Sequence, residues 1–242
     1  MEVRTGKLVL YTVIAMCTVM LFYFVAGAAV VTQGLEGGAA AKTQGMIIWL
    51  SVIVVLAFYI LSKRGLTKLG FRPVKEGAAG NLFYFIPVIF IVLLGLVGGI
   101  DTSRGSGFIL ANLFLTVGVG FSEEIYFRGI ICNLWQRKST KAAVLVSAVL
   151  FGVCHLMNVL GGASIVETIL QIFFAFFYGL VFAFIFLESD SVWPCVALHF
   201  AHDFCSFIGR DISVKADIAV MTIQTLLLLL YIVLLVRKSS NG

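Results

Sequence analysis

Eight apolar runs, each about long enough to cross a bilayer as a helix, fill this chain and leave only short connections between them. A transmembrane helix needs about 20 predominantly apolar residues, and such runs lie at roughly 8–32, 46–62, 81–99, 108–133, 142–160, 168–187, 192–209 and 217–236. Of the 242 residues, 61% are hydrophobic and 12% charged, against about 25% charged in soluble domains. A water-soluble core cannot hide that much apolar surface. The expected fold is all-α: a polytopic membrane protein of about eight transmembrane helices in one bundle, a single domain over 1–242.

The basic residues are unevenly distributed. With the N-terminus inside, one side holds Arg4, Lys7, Lys63, Arg64, Lys68, Arg72, Lys75, Arg137, Lys138, Lys141, Arg237 and Lys238, and the other holds Lys42, Arg104, Arg210 and Lys215. By the positive-inside rule both termini are expected in the cytoplasm, in a cell-membrane, multi-pass protein. The net charge of +5 is thereby explained by topology and attraction to anionic lipid, and no nucleic-acid partner is expected. Ala26, Gly27 and Ala28 resemble a signal cleavage site. The apolar run that contains them exceeds the 7–15 residues of a signal peptide, so a retained helix is expected. The five cysteines lie in or beside apolar runs with no CxxC pair, which reads as buried thiols.

Between the runs, 63–80 is basic and reads as a loop or surface helix on the cytoplasmic face, and 33–45 is rich in glycine and alanine and reads as a flexible connection. Gly95 and Gly99 make a small-xxx-small spacing that would admit a close neighbouring helix.

An ionisable residue inside a span is costly in hydrocarbon and marks a functional candidate. The fourth run carries Glu123, Glu124 and Arg128, the fifth His155, and the seventh His199, His202 and Asp203. These include every histidine of the chain. Glu124 and Arg128 are spaced for an ion pair within one helix, whereas Glu123 needs partners from other helices. Phe151, His155 and Asn158 would share a helix face. His199 and Asp203 are one turn apart, with His202 close to the same side. At 1.5 Å per residue, Glu123, His155 and His199 all fall about 10–20 Å from the cytoplasmic end, so one cluster opening to the cytoplasmic leaflet is expected.

A carboxylate and two imidazoles in a low-dielectric cavity suit water activation. The glutamate can take a proton from water and return it to a leaving amine, while a histidine holds the water or stabilises an oxyanion. Two histidines and a glutamate (Glu123, His155, His199) also match a catalytic zinc ligand set with one open position. Both chemistries stay open here, and the His-Glu-x-x-His signature is absent.

Glu-Glu-x-x-x-Arg (Glu123, Glu124, Arg128), Phe-x-x-x-His (Phe151, His155) and His-x-x-x-Asx (His199, Asp203), in this order over about 108–209, resemble the CPBP family of CAAX proteases, bacteriocin-processing enzymes and Abi proteins. The resemblance implies an eight-helix intramembrane endopeptidase acting on peptide or membrane-protein substrates. It implies Glu123 as activator of water with His155 beside it, His199 and Asp203 at the oxyanion or ligand position, and Glu124 with Arg128 holding the site together. Members are described as metalloproteases, and a metal-free glutamate mechanism is also argued for them. The third motif often ends in asparagine; Asp203 donates to an oxyanion only when protonated, so this departure favours a metal or a protonated Asp203. The compact chain looks like the bacterial type, linked to bacteriocin processing or self-immunity, and no prenylated substrate is expected. Two alternatives stand beside this reading. Intramembrane Glu, His and Asp also relay protons in transporters, although the matching broken helices of a repeat architecture are not evident. The other is a non-catalytic immunity or scaffold protein.

Overall fold

The computed structural model describes residues 5–78, 86–160 and 164–240. They form helices α1 (Thr5–Gln33), α2 (Gly37–Leu61), α3 (Ile86–Leu94), α4 (Gly105–Glu124), a π-helical segment (Ile125–Cys132), α5 (Asn133–Gln136), α6 (Thr140–Cys154), α7 (Met157–Leu160), α8 (Ile165–Ser189), α9 (Trp193–Ile208) and α10 (Val214–Ser240). The π segment joins α4 to α5 without a break, and α7 continues α6 after a turn. About eight helical passes result, as the apolar runs predict. Among the described residues six helical stretches are long and apolar enough to cross a membrane, which makes this a multi-pass membrane protein. α3 and α9 are shorter, and the expected start of the third run, 81–85, lies outside the described residues, as does Arg4.

Outward-facing leucines, isoleucines and phenylalanines such as Leu21, Phe24, Ile53 and Phe90 are about half exposed, the arrangement expected of helices that meet lipid rather than water. Inside, one cluster joins Tyr178, Phe182 and Phe186 of α8 to Cys195 and Val196 of α9, and a second joins α1 and α2 to Ile125, Phe127 and Ile131 of the π segment.

Two ends of the bundle can be told apart by their contacts. At one, the basic segment after α2 folds back on the helices. Gly129 lacks a side chain where a Cβ would meet the Leu69 carbonyl at 2.7 Å, Asn133 Nδ2 donates to the Lys68 carbonyl, Trp135 Nε1 donates to Thr12 Oγ1, and Arg72 pairs with Asp190 at 2.6 Å. At the other, Ile100 bridges Gly209, and Arg104 joins Asp101 to Asp211.

Two expectations change. The segment 33–45 is not a flexible connection, because α2 starts at Gly37 and only a short turn precedes it. Its small residues serve packing: a Cβ on Gly38 would touch the backbone of Phe108, and one on Gly45 would meet the Phe114 ring at 2.7 Å. Of the Gly95 and Gly99 pair, only Gly95 admits a helix, lying against the backbone of Cys205 and Ser206 in α9; Gly99 has φ +80 and turns the chain, and Gly98 takes the second close contact, against Arg210.

Candidate active site

The fourth run places its acids where two helical geometries meet. α4 ends at Glu124, and the eight residues from Ile125 to Cys132 continue in π form, a rare geometry frequent at functional sites. Glu124 and Arg128 are both 0% exposed, and Arg128 Nη1 donates to Glu124 Oε1 at 2.8 Å. The guanidinium lies over the rings of Phe151 and Phe182, 4.5 and 5.3 Å from their centroids, and reaches the Gly179 carbonyl at 3.4 Å. A buried charge this far from water needs both a counter-ion and hydrogen bonds; this one has its counter-ion on α4, a backbone acceptor on α8 and ring faces from α6 and α8. The ion pair expected from the spacing is present.

Glu124 has a second partner. The same oxygen, Oε1, lies 2.7 Å from Nδ1 of His199 on α9. A carboxylate held against an arginine accepts, so Nδ1–H donates, and this sets the orientation of the imidazole. Nε2 is thereby aimed at the other acids, 3.7 Å from Glu123 Oε2 and 3.5 Å from Asp203 Oδ2. Gaps of that size suit a bridging water or a substrate atom better than a direct bond. Glu123 faces His199 on another helix, in line with its lone position in α4, without a direct hydrogen bond to it.

His155 arrives by a different route. The expected apolar pass through 142–160 is present as the stretch Thr140–Val159, with a turn in it where α6 ends at Cys154 and His155 caps it. The His155 amide bonds back to Gly152, and its ring Nδ1 stands 2.9 Å from the Phe151 carbonyl. A carbonyl only accepts, so Nδ1 carries the proton, and Nε2 keeps its lone pair. Asn158 follows in the short α7, where its amide donates to Gln171 of α8 at 2.7 Å.

Glu123, His155, His199 and Asp203 all line one cavity of about 680 Å³. Glu124 and Arg128 lie behind its wall. His202 does not belong to it: its ring stacks on Phe174 and Tyr178, so the second histidine of the seventh run faces α8. Spacing did not reveal this, because residues 199 and 202 sit a turn apart and only the packing of α8 separates their surroundings. Among the described residues, no group of three or more His, Cys, Asp or Glu side chains is placed to hold a metal ion. Glu123, His155 and His199 share the cavity without forming such a cage.

Tyr23, on α1, was not a candidate in the sequence. Its ring lines the same cavity, and its buried hydroxyl faces Glu123 and Ser122 without closing a hydrogen bond to either. A lone tyrosine in an apolar helix carries no motif, so only the packing of α1 against the π segment reveals it.

The cavity is not fully enclosed. Its exposed lining residues, Phe24, Val31, Thr32 and Phe207, belong to the later parts of α1 and α9, at the end that carries the Asp101, Arg104 and Asp211 knot. Phe127, whose ring packs edge-on against Phe151, also lines it.

Residues 105–205 match the family model described as Rce1-like, type II CAAX prenyl endopeptidase, which is the CAAX protease family that the three motifs resemble. The matched segment contains Glu123, Glu124, Arg128, His155, His199 and Asp203, and not Tyr23. No curated protein matches the chain.

Proposed function

We propose that this protein is an intramembrane endopeptidase that hydrolyses peptide bonds of membrane-associated peptides or proteins with a water activated by Glu123. The observation that carries the reading is the convergence of Glu123, His155, His199 and Asp203, from three separate runs, on one cavity.

The steps follow from the hydrogen bonds. Glu123 takes a proton from water, helped by His155, whose Nε2 lone pair accepts the other O–H. The hydroxide adds to the scissile carbonyl carbon, and the carbonyl oxygen becomes an oxyanion. In its protonated form His199 presents Nε2–H to that oxygen while Nδ1–H stays on Glu124, so the donor is fixed before charge develops. Asp203 adds a second donor in its protonated form. Glu123 then returns its proton to the amine nitrogen, the C–N bond breaks, and a carboxylic acid and an amine leave.

A zinc ion, if bound, would be held by Glu123, His155 and His199 and would supply Lewis-acid activation of the water. The side-chain placement supports the protein-only sequence above, since those donors do not form a cage. Bacteriocin precursors and other small membrane-associated peptides are the substrates this reading favours, and it requires no prenyl group. Comparative proteomics of membranes from cells carrying wild-type and Glu123→Gln protein tests it. New peptide termini that depend on Glu123 are expected; identical terminal profiles would count against proteolysis.

A further inference from the structure

Most residues lining the cavity are apolar, yet beside the ionisable groups the wall carries side-chain amides, among them Asn158 of α7 and Gln171 of α8. A neutral amide neither takes up nor supplies a proton in peptide hydrolysis, and the steps above use neither residue. The two are joined: Asn158 Nδ2 donates to Gln171 Oε1 at 2.7 Å. That bond spends one of the two N–H donors of Asn158 and one lone pair of Gln171. Among the described residues neither side chain makes another hydrogen bond. Oδ1 of Asn158 therefore keeps its acceptor sites and Nε2 of Gln171 keeps both donors, on two half-buried residues at the cavity wall.

The place of the pair is fixed relative to the site. The Asn158 backbone N–H donates to the His155 carbonyl at 3.0 Å, so Asn158 sits in the turn that follows His155, and Gln171 holds its side chain from α8. A strut between two helices needs only the one bond and gains nothing from facing a cavity. An acceptor and a donor on neighbouring side chains are what a peptide backbone pairs with. A residue in an extended chain turns its N–H and C=O toward the same neighbour, and such main-chain bonds hold extended peptides whatever their side chains. A helical substrate has spent those groups on its own internal bonds.

We infer that Asn158 and Gln171 are a backbone-binding pair for the substrate: Asn158 Oδ1 accepts the N–H, and Gln171 Nε2 donates to the C=O, of one extended residue near the scissile bond. This rests on the peptidase reading and deepens it. The substrate class that follows is an unwound peptide segment, held at this position by its main chain and not by a charged side chain. The bonds are made in the ground state and the transition state alike, so they act on KM and not on kcat.

Backbone esters test this. Peptides with the Glu123-dependent cleavage sequence found by membrane proteomics are made with one backbone N–H at a time replaced by O, at residues flanking the scissile bond, and are cleaved by purified protein in detergent. With the wild type, an ester at one position is expected to raise KM about fivefold, the loss of one ordinary hydrogen bond, with kcat little changed. In Asn158→Leu, KM for the all-amide peptide is expected to rise by a similar factor, and the ester at that position is expected to add nothing further. Gln171→Leu is expected to raise KM in the same way. Ester sensitivity that persists undiminished in Asn158→Leu would overturn the inference, as would lower melting temperatures in both variants with KM unchanged, the mark of a strut. The wild-type series decides without any variant: a peptide that is cleaved and is indifferent to every ester removes the pair and leaves the peptidase reading intact. If no Glu123-dependent terminus is found, the peptidase reading falls, and the pair with it.

Discussion

One carboxylate oxygen, Oε1 of Glu124, holds both the Arg128 guanidinium at 2.8 Å and the His199 imidazole at 2.7 Å. The structural ion pair and the site therefore share an atom: the arginine pairs with the carboxylate, and the same carboxylate orients the ring whose other nitrogen faces Glu123 and Asp203. Stability and activity are coupled at this point.

Arg128→Ala is expected to destabilise the protein by about 3–5 kcal/mol, since it leaves Glu124 as an uncompensated buried charge. Thermal unfolding in detergent measures this. Replacing both partners, Glu124→Gln with Arg128→Met, is expected to recover most of the stability and none of the activity, because His199 then loses the charged acceptor that orients it.

Asp203 separates a hydrogen-bond role from a charge role. Asp203→Asn keeps the size and supplies a permanent donor, so turnover within about tenfold of wild type is expected. Asp203→Ala is expected to lose about a hundredfold, the usual cost of removing one oxyanion donor. Steady-state cleavage rates of the two variants make the comparison.

Tyr23→Phe removes only the hydroxyl that faces Glu123. The expected result is a fall in kcat of about tenfold with KM little changed, the signature of an interaction made in the transition state. A change in KM alone would make Tyr23 a wall of the cavity and nothing more.

At the start of α4, hydrogen bonds from Ser103 and then the Arg104 guanidinium hold the Asp101 carboxyl below the ordinary aspartate range. A lowered folded-state pKa stabilises the protein above the unfolded value, and that contribution is lost as the pH falls through the folded one. Hydrogen exchange in 98–105 is expected to rise below about pH 4, and Asp101→Asn is expected to show the faster exchange already at neutral pH.

Much of this was legible in the residues. The apolar runs foretold the helices because a bilayer leaves the backbone few other choices. The Glu124 and Arg128 pair followed from its spacing, and the convergence of Glu123, His155 and His199 from the cost of isolated polar groups in lipid. What was not legible depends on contacts between distant segments. Gly38 and Gly45 look like loop residues until the Phe108 backbone and the Phe114 ring lie against them. The break at His155 follows from its ring bonding the Phe151 carbonyl, an interaction local in sequence but not implied by periodicity. The π segment after Glu124 has no marker except Gly129, whose missing Cβ admits Leu69. His202 turns away because Tyr178 and Phe174 occupy the space beside it.

The most direct measurement is cleavage of a membrane-proximal peptide by purified protein in detergent, with Glu123→Gln as the comparison and metal content determined on the same samples. The expected result is hydrolysis by the wild type that survives exhaustive chelation, and a loss of at least a hundredfold in the variant, the scale of a removed general base, with unchanged thermal stability. Undiminished hydrolysis by Glu123→Gln would contradict the account.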